Sequence, residues 1–378
     1  MIPRLIEKPI KKYLFKFHKL ILLLGARQTG KTTLIKKIER DLTSDGKKCF
    51  YLNCDLDEDL RLLNTTSLTL ITKLTRDVDF LLIDEAQRLD NPGLTLKIIY
   101  DNFSRTKVMA TGSSAFELKN KLSDAMTGRY IDFHLFPLSV KEFAKDKMQA
   151  DYQIEDILRY GSYPEVYLLK KKDDKILFLN KIIESYLYKD LLSYQKIRFP
   201  QIIKDLTKAL AYQIGSEINE NELANRLKVD RKTVVSYLRY LEQVYVITRL
   251  TPFSKNPRRE IGKRYKIYFL DLGIRNALIG DFNAISLRSD LGYLWENFLI
   301  IERNKAHSFK QIIFESNFWR SYSGAEVDYV ERLSDGPEFK AFEFKWQGEK
   351  LAKGASGFRR KYSIPISVVN RNNYFSFV

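Results

Sequence analysis

The segment Gly25-Ala26-Arg27-Gln28-Thr29-Gly30-Lys31-Thr32 fits the pattern G-x-x-x-x-G-K-[ST] and restricts the fold more than any other stretch. Before it, Leu20 to Leu24 is a wholly apolar run, as a buried parallel strand requires. After it, Leu34, Ile35, Ile38 and Leu42 recur on one face of a helix. A strand, a glycine-rich turn and a helix in that order present backbone N–H groups at a helix N-terminus, where phosphate binds. Residues Gly25, Ala26, Arg27, Gln28, Thr29, Gly30, Lys31, Thr32 and Thr33 are therefore expected to cradle ATP. Lys31 would neutralise the β and γ phosphates, and Thr32 would offer its hydroxyl to Mg²⁺. A chance glycine-rich turn is the competing explanation, and the strand–loop–helix setting argues against it.

Phe80-Leu81-Leu82-Ile83-Asp84-Glu85 supplies the second half of such a site. A buried strand delivers Asp84 at its carboxyl end, where it holds Mg²⁺ through water, and Glu85 then polarises the attacking water. The bland alternative is that the two acids cap the next helix. Lys107 to Ser114 reads as a further strand ending in small hydroxyl residues, with Ser113 placed to sense the γ-phosphate. Gly-Ser-Ser serves equally as a simple turn. Gly128-Arg129-Tyr130 precedes another apolar segment, and Arg129 is expected either to stabilise transferring charge at a neighbouring subunit or to form a surface salt bridge.

At roughly 150 residues per domain, 378 residues imply two or three domains. Hydrophobic residues make up 44% of the chain, enough for real cores, which excludes a disordered polymer. Lys and Arg number 64 against 47 Asp and Glu, a net charge of +17. That balance favours an anionic partner, nucleic acid or an acidic membrane, although a lysine-rich proteome gives the same excess. Cys49 and Cys54 form neither a plausible disulfide nor a zinc set. The early apolar run Leu20–Leu24 is too short for a signal segment or a membrane span, so a cytoplasmic location without membrane partners is expected.

Residues 138–210 read as helices, with Leu177, Ile182, Ile183, Tyr186 and Leu187 at helical spacing and Pro200 breaking the pattern. Residues 219–227 and 231–241 form two short amphipathic helices around the turn Lys228-Val229-Asp230, a helix-turn-helix in which Asp230 caps the second helix. Arg231, Lys232, Thr233, Ser236 and Tyr237 are expected to face a DNA groove. From Tyr245 a wing begins. Its basic run contains Arg249, Lys255, Arg258, Arg259, Lys263, Arg264 and Lys266 against only Glu260. Clustered cations suit phosphate contact, while protein contact is the other use of such a surface.

The C-terminal order is helix, three strands, helix, strand. Glu343 and Lys345 share a strand face. A hairpin centred on Asp335-Gly336 sets Asp328 opposite Glu343 and Glu326 opposite Lys345. Asp328, Glu343 and Lys345, with Glu296 from the helix, fit the nuclease pattern of an acid followed by Glu-x-Lys. Asp328 and Glu343 would bind Mg²⁺ and Lys345 would orient water. A cross-strand salt-bridge cluster is the alternative.

With these residues in view, positions 1–140 resemble the AAA-type branch of P-loop ATPases, in which the Gly-Arg-aromatic segment often carries an arginine finger, here Arg129. Nearly the whole chain resembles the bacterial and archaeal AAA-type ATPases whose C-terminal half is a domain of unknown function, with a winged helix and a restriction-endonuclease-like fold. Tyr160-Gly161-Ser162-Tyr163-Pro164 resembles that family's Gly-and-Pro motif on the helical lid, and Arg159 is the nearby arginine. The resemblance implies a multidomain α/β protein: a parallel-sheet ATPase core (1–137), helical lid (138–210), winged helix (211–284) and smaller mixed-sheet nuclease-like domain (285–378). It also suggests a homo-oligomeric ring. The expected function is Mg²⁺-dependent ATP hydrolysis coupled to binding or remodelling DNA, with cleavage added if the C-terminal site is active. The alternative is a nucleotide-gated switch acting through protein partners, with an inactive C-terminal domain.

Overall fold

Five parallel strands organise the first part of the chain in the computed structural model, which describes residues 2–113, 126–188, 199–254, 264–321, 323–334, 336, 338–352 and 354–378. Contacts divide the chain into two units, residues 3–136 and residues 137–378. In the first, β1 (Leu20–Leu24), β2 (Cys49–Asn53), β3 (Phe80–Asp84), β4 (Lys107–Gly112) and β5 (Tyr130–His134) lie in the order β2-β3-β4-β1-β5. All neighbours are parallel. Strands β1 and β3 are buried along their full length, which is why they read as unbroken apolar runs.

Parallel strands bring all their carboxyl ends to one edge. Because β4 is inserted between β1 and β3, its tip lies between the loops that follow them. Leu24 pairs with Gly112 and Ile83 with Ala110. Ser113 thus starts beside the loop at Gly25, and Thr111 beside Asp84. Strand insertion is the step that assembles the candidate site.

In residues 137–378, a short helix Val140–Phe143 is followed by helices Lys147–Tyr160, Pro164–Leu168 and Lys172–Ile182, and a wider helical turn, Ile183–Tyr188, continues the last of them. Leu177, expected on the apolar face, is exposed, while Leu179 and Ile182 are buried. Pro200 does not only end a pattern: it starts the helix Pro200–Tyr212, where a missing N–H costs nothing. Helices Glu220–Leu227 and Arg231–Gln243 follow, with β6 (Glu217–Ile218), β7 (Ile247–Pro252) and β8 (Tyr265–Phe269) around them. Helices Leu272–Ile279 and Leu291–Phe309 lead into β9 (Phe314–Arg320), β10 (Glu326–Leu333), β11 (Phe339–Phe344), helix Ala355–Tyr362 and β12 (Ile366–Val369).

These seven strands form one mixed sheet in the order β12-β11-β10-β9-β7-β8-β6. Parallel pairing of β7 with β9 at Thr251–Asn317 and Pro252–Phe318 carries the sheet across residue 284. The modules on either side of that position therefore share one β-layer. Phe253, Trp319, Val327, Val330 and Phe358 are buried together on it. Among the described residues, no helix is long and apolar enough to cross a membrane.

Candidate functional site

At the carboxyl edge of the parallel sheet, the glycine-rich loop is held in a shape that needs its glycines. A Cβ on Gly25 would sit 2.2 Å from the Leu135 carbonyl oxygen, so only glycine fits beside the β5 exit. Gln28 and Gly30 have φ of +61° and +96°. Thr29 is fully buried, and its hydroxyl donates to the Ala26 carbonyl at 2.8 Å. The Arg4 guanidinium donates to the Thr29 carbonyl at 2.7 Å and to the Phe136 carbonyl at 2.5 Å, strapping the loop from outside.

Lys31 begins the helix Lys31–Ser44 and is buried. Its ammonium donates to the Gly25 and Ala26 carbonyls at 3.0 and 2.9 Å. Burial pushes it down to about 8, against the raising effect of the Glu85 and Asp84 charges. A buried cation turned into a loop of backbone groups fits a phosphate ligand. Thr32 and Thr33 stand exposed in the first helical turn, where a hydroxyl can meet a phosphate-bound ion.

Asp84 is buried at the tip of β3. It accepts from the Thr111 hydroxyl and, at 3.0 Å, from the Tyr51 hydroxyl. Burial and the Asp84 charge hold the Tyr51 phenol well above its ordinary range. Glu85 turns off the strand with φ +53°, and its backbone N–H donates to Thr111 Oγ1 at 3.0 Å. The Gln87 amide donates both to Glu85 Oε2 and, at 3.0 Å, to the buried Ser113 Oγ. An ammonium, two carboxylates and a hydroxyl are thereby gathered on one edge. Thr111, Gln87, Tyr51 and Arg4 were not singled out as site residues from the sequence. The "small hydroxyl" ending of β4 was the only available signal for Thr111.

Arg129 lies at the opposite end of its strand. It precedes β5, and its guanidinium bonds Asp101 at 2.9 Å. A five-residue strand separates it from the carboxyl edge, about 16 Å at ~3.3 Å per residue. It does not reach its own Lys31. In the Tyr160–Pro164 motif, Gly161 (φ +74°) is crowded by Asp271, because a Cβ there would meet Asp271 Oδ1 at 2.0 Å. Asp271 accepts the Ser162 N–H at 2.7 Å. Arg159 donates to the Phe282 carbonyl at 3.0 Å.

On the helix Arg231–Gln243, Arg231, Lys232 and Ser236 are exposed and Thr233 is half-buried. Tyr237 corrects the expectation: it is buried, on the same side as Val234, Leu238 and Leu241. Its ring belongs to the core, and its hydroxyl accepts the Phe199 N–H at 3.4 Å. Arg239, not anticipated, is exposed and continues the Lys232–Ser236 stripe at helical spacing. Arg231 pairs with Glu220 at 2.6 Å. Asp230 holds the N-cap position without a side-chain cap bond. Arg264 is exposed, whereas Lys255, Arg258, Arg259 and Lys263 lie outside the described residues, as do Ser114 and Asp335.

The β10–β11 register is the expected one, with Tyr329 opposite Phe342 and Val330 opposite Ala341. The acids nonetheless group differently. Glu296, Glu326 and Asp328 each bring an oxygen within 4.8 Å of the others, with Glu326 where Glu343 was expected. Glu326 and Asp328, two apart, share a strand face, and the ladder with β9 shifts register between Val327 and Val330, the stretch that holds Asp328. Asp328 accepts the Phe344 N–H at 2.7 Å. Burial, then the Glu296 charge, pushes Asp328 up to about 8. Glu343, also buried, accepts the Ala352 N–H with both oxygens at 2.9 and 3.0 Å. Lys345 bonds Glu343 at 2.7 Å.

Residues 17–144 match the family model of a AAA domain. Residues 151–284 and 291–375 match two domains of unknown function, DUF8612 and DUF4143. Together with the loop and the paired acids, the AAA match supports a P-loop ATPase in the first unit. Over 336 residues the chain is 25% identical to an uncharacterised protein of Methanocaldococcus jannaschii, covering 83% of this chain and 72% of that one. A Haemophilus influenzae protein is 23% identical over 341 residues, 82% of this chain and 79% of its own. AMPPCP-bound DnaA from Aquifex aeolicus aligns at 18% identity over 62% of this chain and 86% of its own, with a TM-score of 0.31. A likeness that distant says nothing about function.

Proposed function

We propose that this chain hydrolyses ATP at the β1–β3–β4 edge and couples turnover to DNA held by the helix Arg231–Gln243 and its β7–β8 wing, a winged helix. The observation that carries the reading is the convergence of Lys31, Asp84, Glu85 and Ser113 on one strand edge. Backbone N–H groups of the loop and Lys31 bind the phosphates. Thr32 and Asp84 would hold Mg²⁺, which would supply positive charge to offset that of the phosphates. Glu85 polarises water, Ser113 reads the γ-phosphate, and Gln87 joins the two. Arg129 acts at a neighbouring copy's site, since it is remote from its own.

A second reading, a slow nucleotide-gated switch, draws on the Gln87 amide bond that occupies one oxygen of the Glu85 carboxylate. Steady-state ATP turnover with and without duplex DNA separates the two, with Lys31→Ala as the binding-deficient control. Turnover raised severalfold by DNA supports coupling. A single burst that stalls, unchanged by DNA, supports the switch. Lys31→Ala should weaken ATP binding by about tenfold to a hundredfold, from about 1.5–3 kcal/mol for a charged hydrogen bond.

A further inference from the structure

The acid cluster of the C-terminal module already contains a cation. Lys266, on β8 and 2% exposed, aims its ammonium into the group formed by Glu296, Glu326 and Asp328. It bonds Glu296 at 2.9 Å and also bonds Glu326. Tyr268, two residues along and fully buried, donates its hydroxyl to the same Glu296 oxygen. The Phe318 ring closes the lysine's flank, with its centroid 5.4 Å away. Lys266 comes from the hairpin behind the helix-turn-helix, whereas the acids come from β10 and the helix Leu291–Phe309.

A divalent ion here would have to displace this buried ammonium from the two acids it bonds. It would also have to take an Asp328 oxygen whose partner oxygen is engaged by the Phe344 N–H. Glu343 is not part of this group: its carboxylate accepts the Ala352 N–H and pairs with Lys345 instead. We infer that Lys266 is the resident cation of this cluster, an ammonium in the place of a metal ion, and that the site is an ionic lock between the β7–β8 hairpin and the C-terminal module. Lys266 bridges the Glu296 and Glu326 carboxylates, with the Asp328 carboxyl beside them, and the shared sheet is fastened on both sides of residue 284. The module then binds or transmits but does not cut DNA. The inference is independent of ATP hydrolysis in the first unit.

The test uses the full chain without nucleotide at neutral pH, with melting temperature and Mn²⁺ binding as readouts. The wild-type protein should show no melting shift with millimolar Mn²⁺ and no DNA cleavage. Lys266→Ala should melt lower by about 10 °C, because uncompensated acids stay buried. Mn²⁺ should then recover a large part of that loss, and adding Glu296→Gln should abolish the recovery. Recovery absent in Lys266→Ala, or a melting temperature equal to wild type, overturns the inference. If Lys266→Ala does not fold, the wild-type measurement decides. Mn²⁺ stabilisation that disappears in Asp328→Asn overturns the lock in favour of a metal centre, and its absence supports the lock.

Discussion

Lys31 is a cation held where a cation is unfavourable. Its folded value of about 8 lies below the ordinary 10.5, so the protonated form costs stability at low pH, and that cost disappears as pH rises from about 8 toward 10.5. A bound phosphate favours the protonated form. ATP binding at pH 9 should therefore take up about one proton, and affinity should fall about tenfold per pH unit between pH 8 and 10. Calorimetry in two buffers of different ionisation enthalpy reads the uptake directly. Binding with no proton uptake at pH 9 would show that Lys31 does not meet the phosphates. At this scale the sequence was informative where residues act as neighbours in the chain. Gly25 to Thr33 form one loop and the first helical turn after it, and Asp84-Glu85 one strand tip. Thr111 and Gln87 escaped notice because their roles depend on β4 lying between β1 and β3, which no local pattern encodes.

The helix Arg231–Gln243 shows how far periodicity reaches. Val234, Leu238 and Leu241 marked its buried face, yet Tyr237 is one step away on that same face and is buried too. Its amphipathic character allows either placement, and the Phe199 N–H and core contacts decide. The exposed stripe is Lys232, Ser236 and Arg239. Replacing Lys232 and Arg239 together by alanine should flatten the log–log salt dependence of duplex binding by about 1.8, at about 0.9 per phosphate contact. Arg231→Ala should change it less, since Arg231 is already paired with Glu220. Anisotropy titrations across a salt series measure both. An unchanged slope in the double variant moves the DNA surface away from this helix. In the hairpin β10–β11, turn chemistry and alternation were enough to set the register. The bulge against β9 was invisible, because it depends on a strand that pairs from the other side, and so was the engagement of Glu343 by the Ala352 N–H and Lys345.

At the scale of the molecule, the seven-stranded sheet ties the helix-turn-helix segment to the C-terminal strands, an arrangement that chain order alone does not specify. Arg129 poses the question of assembly, because it stands at the wrong end of β5 to serve its own site. If copies share sites, Arg129→Ala and Glu85→Gln should each be inactive alone. Mixed one to one they should regain about a quarter of the wild-type rate, the share of interfaces that join an intact site to an intact arginine. No regain on mixing, or full activity of Arg129→Ala, removes the arginine from the reaction. The central claim is that Glu85 drives hydrolysis at this edge, and ATP binding and turnover of Glu85→Gln beside wild type, both with duplex DNA, test it most directly. The account predicts wild-type ATP affinity with turnover lower by about 10²–10⁴-fold. Hydrolysis by Glu85→Gln at the wild-type rate would contradict it.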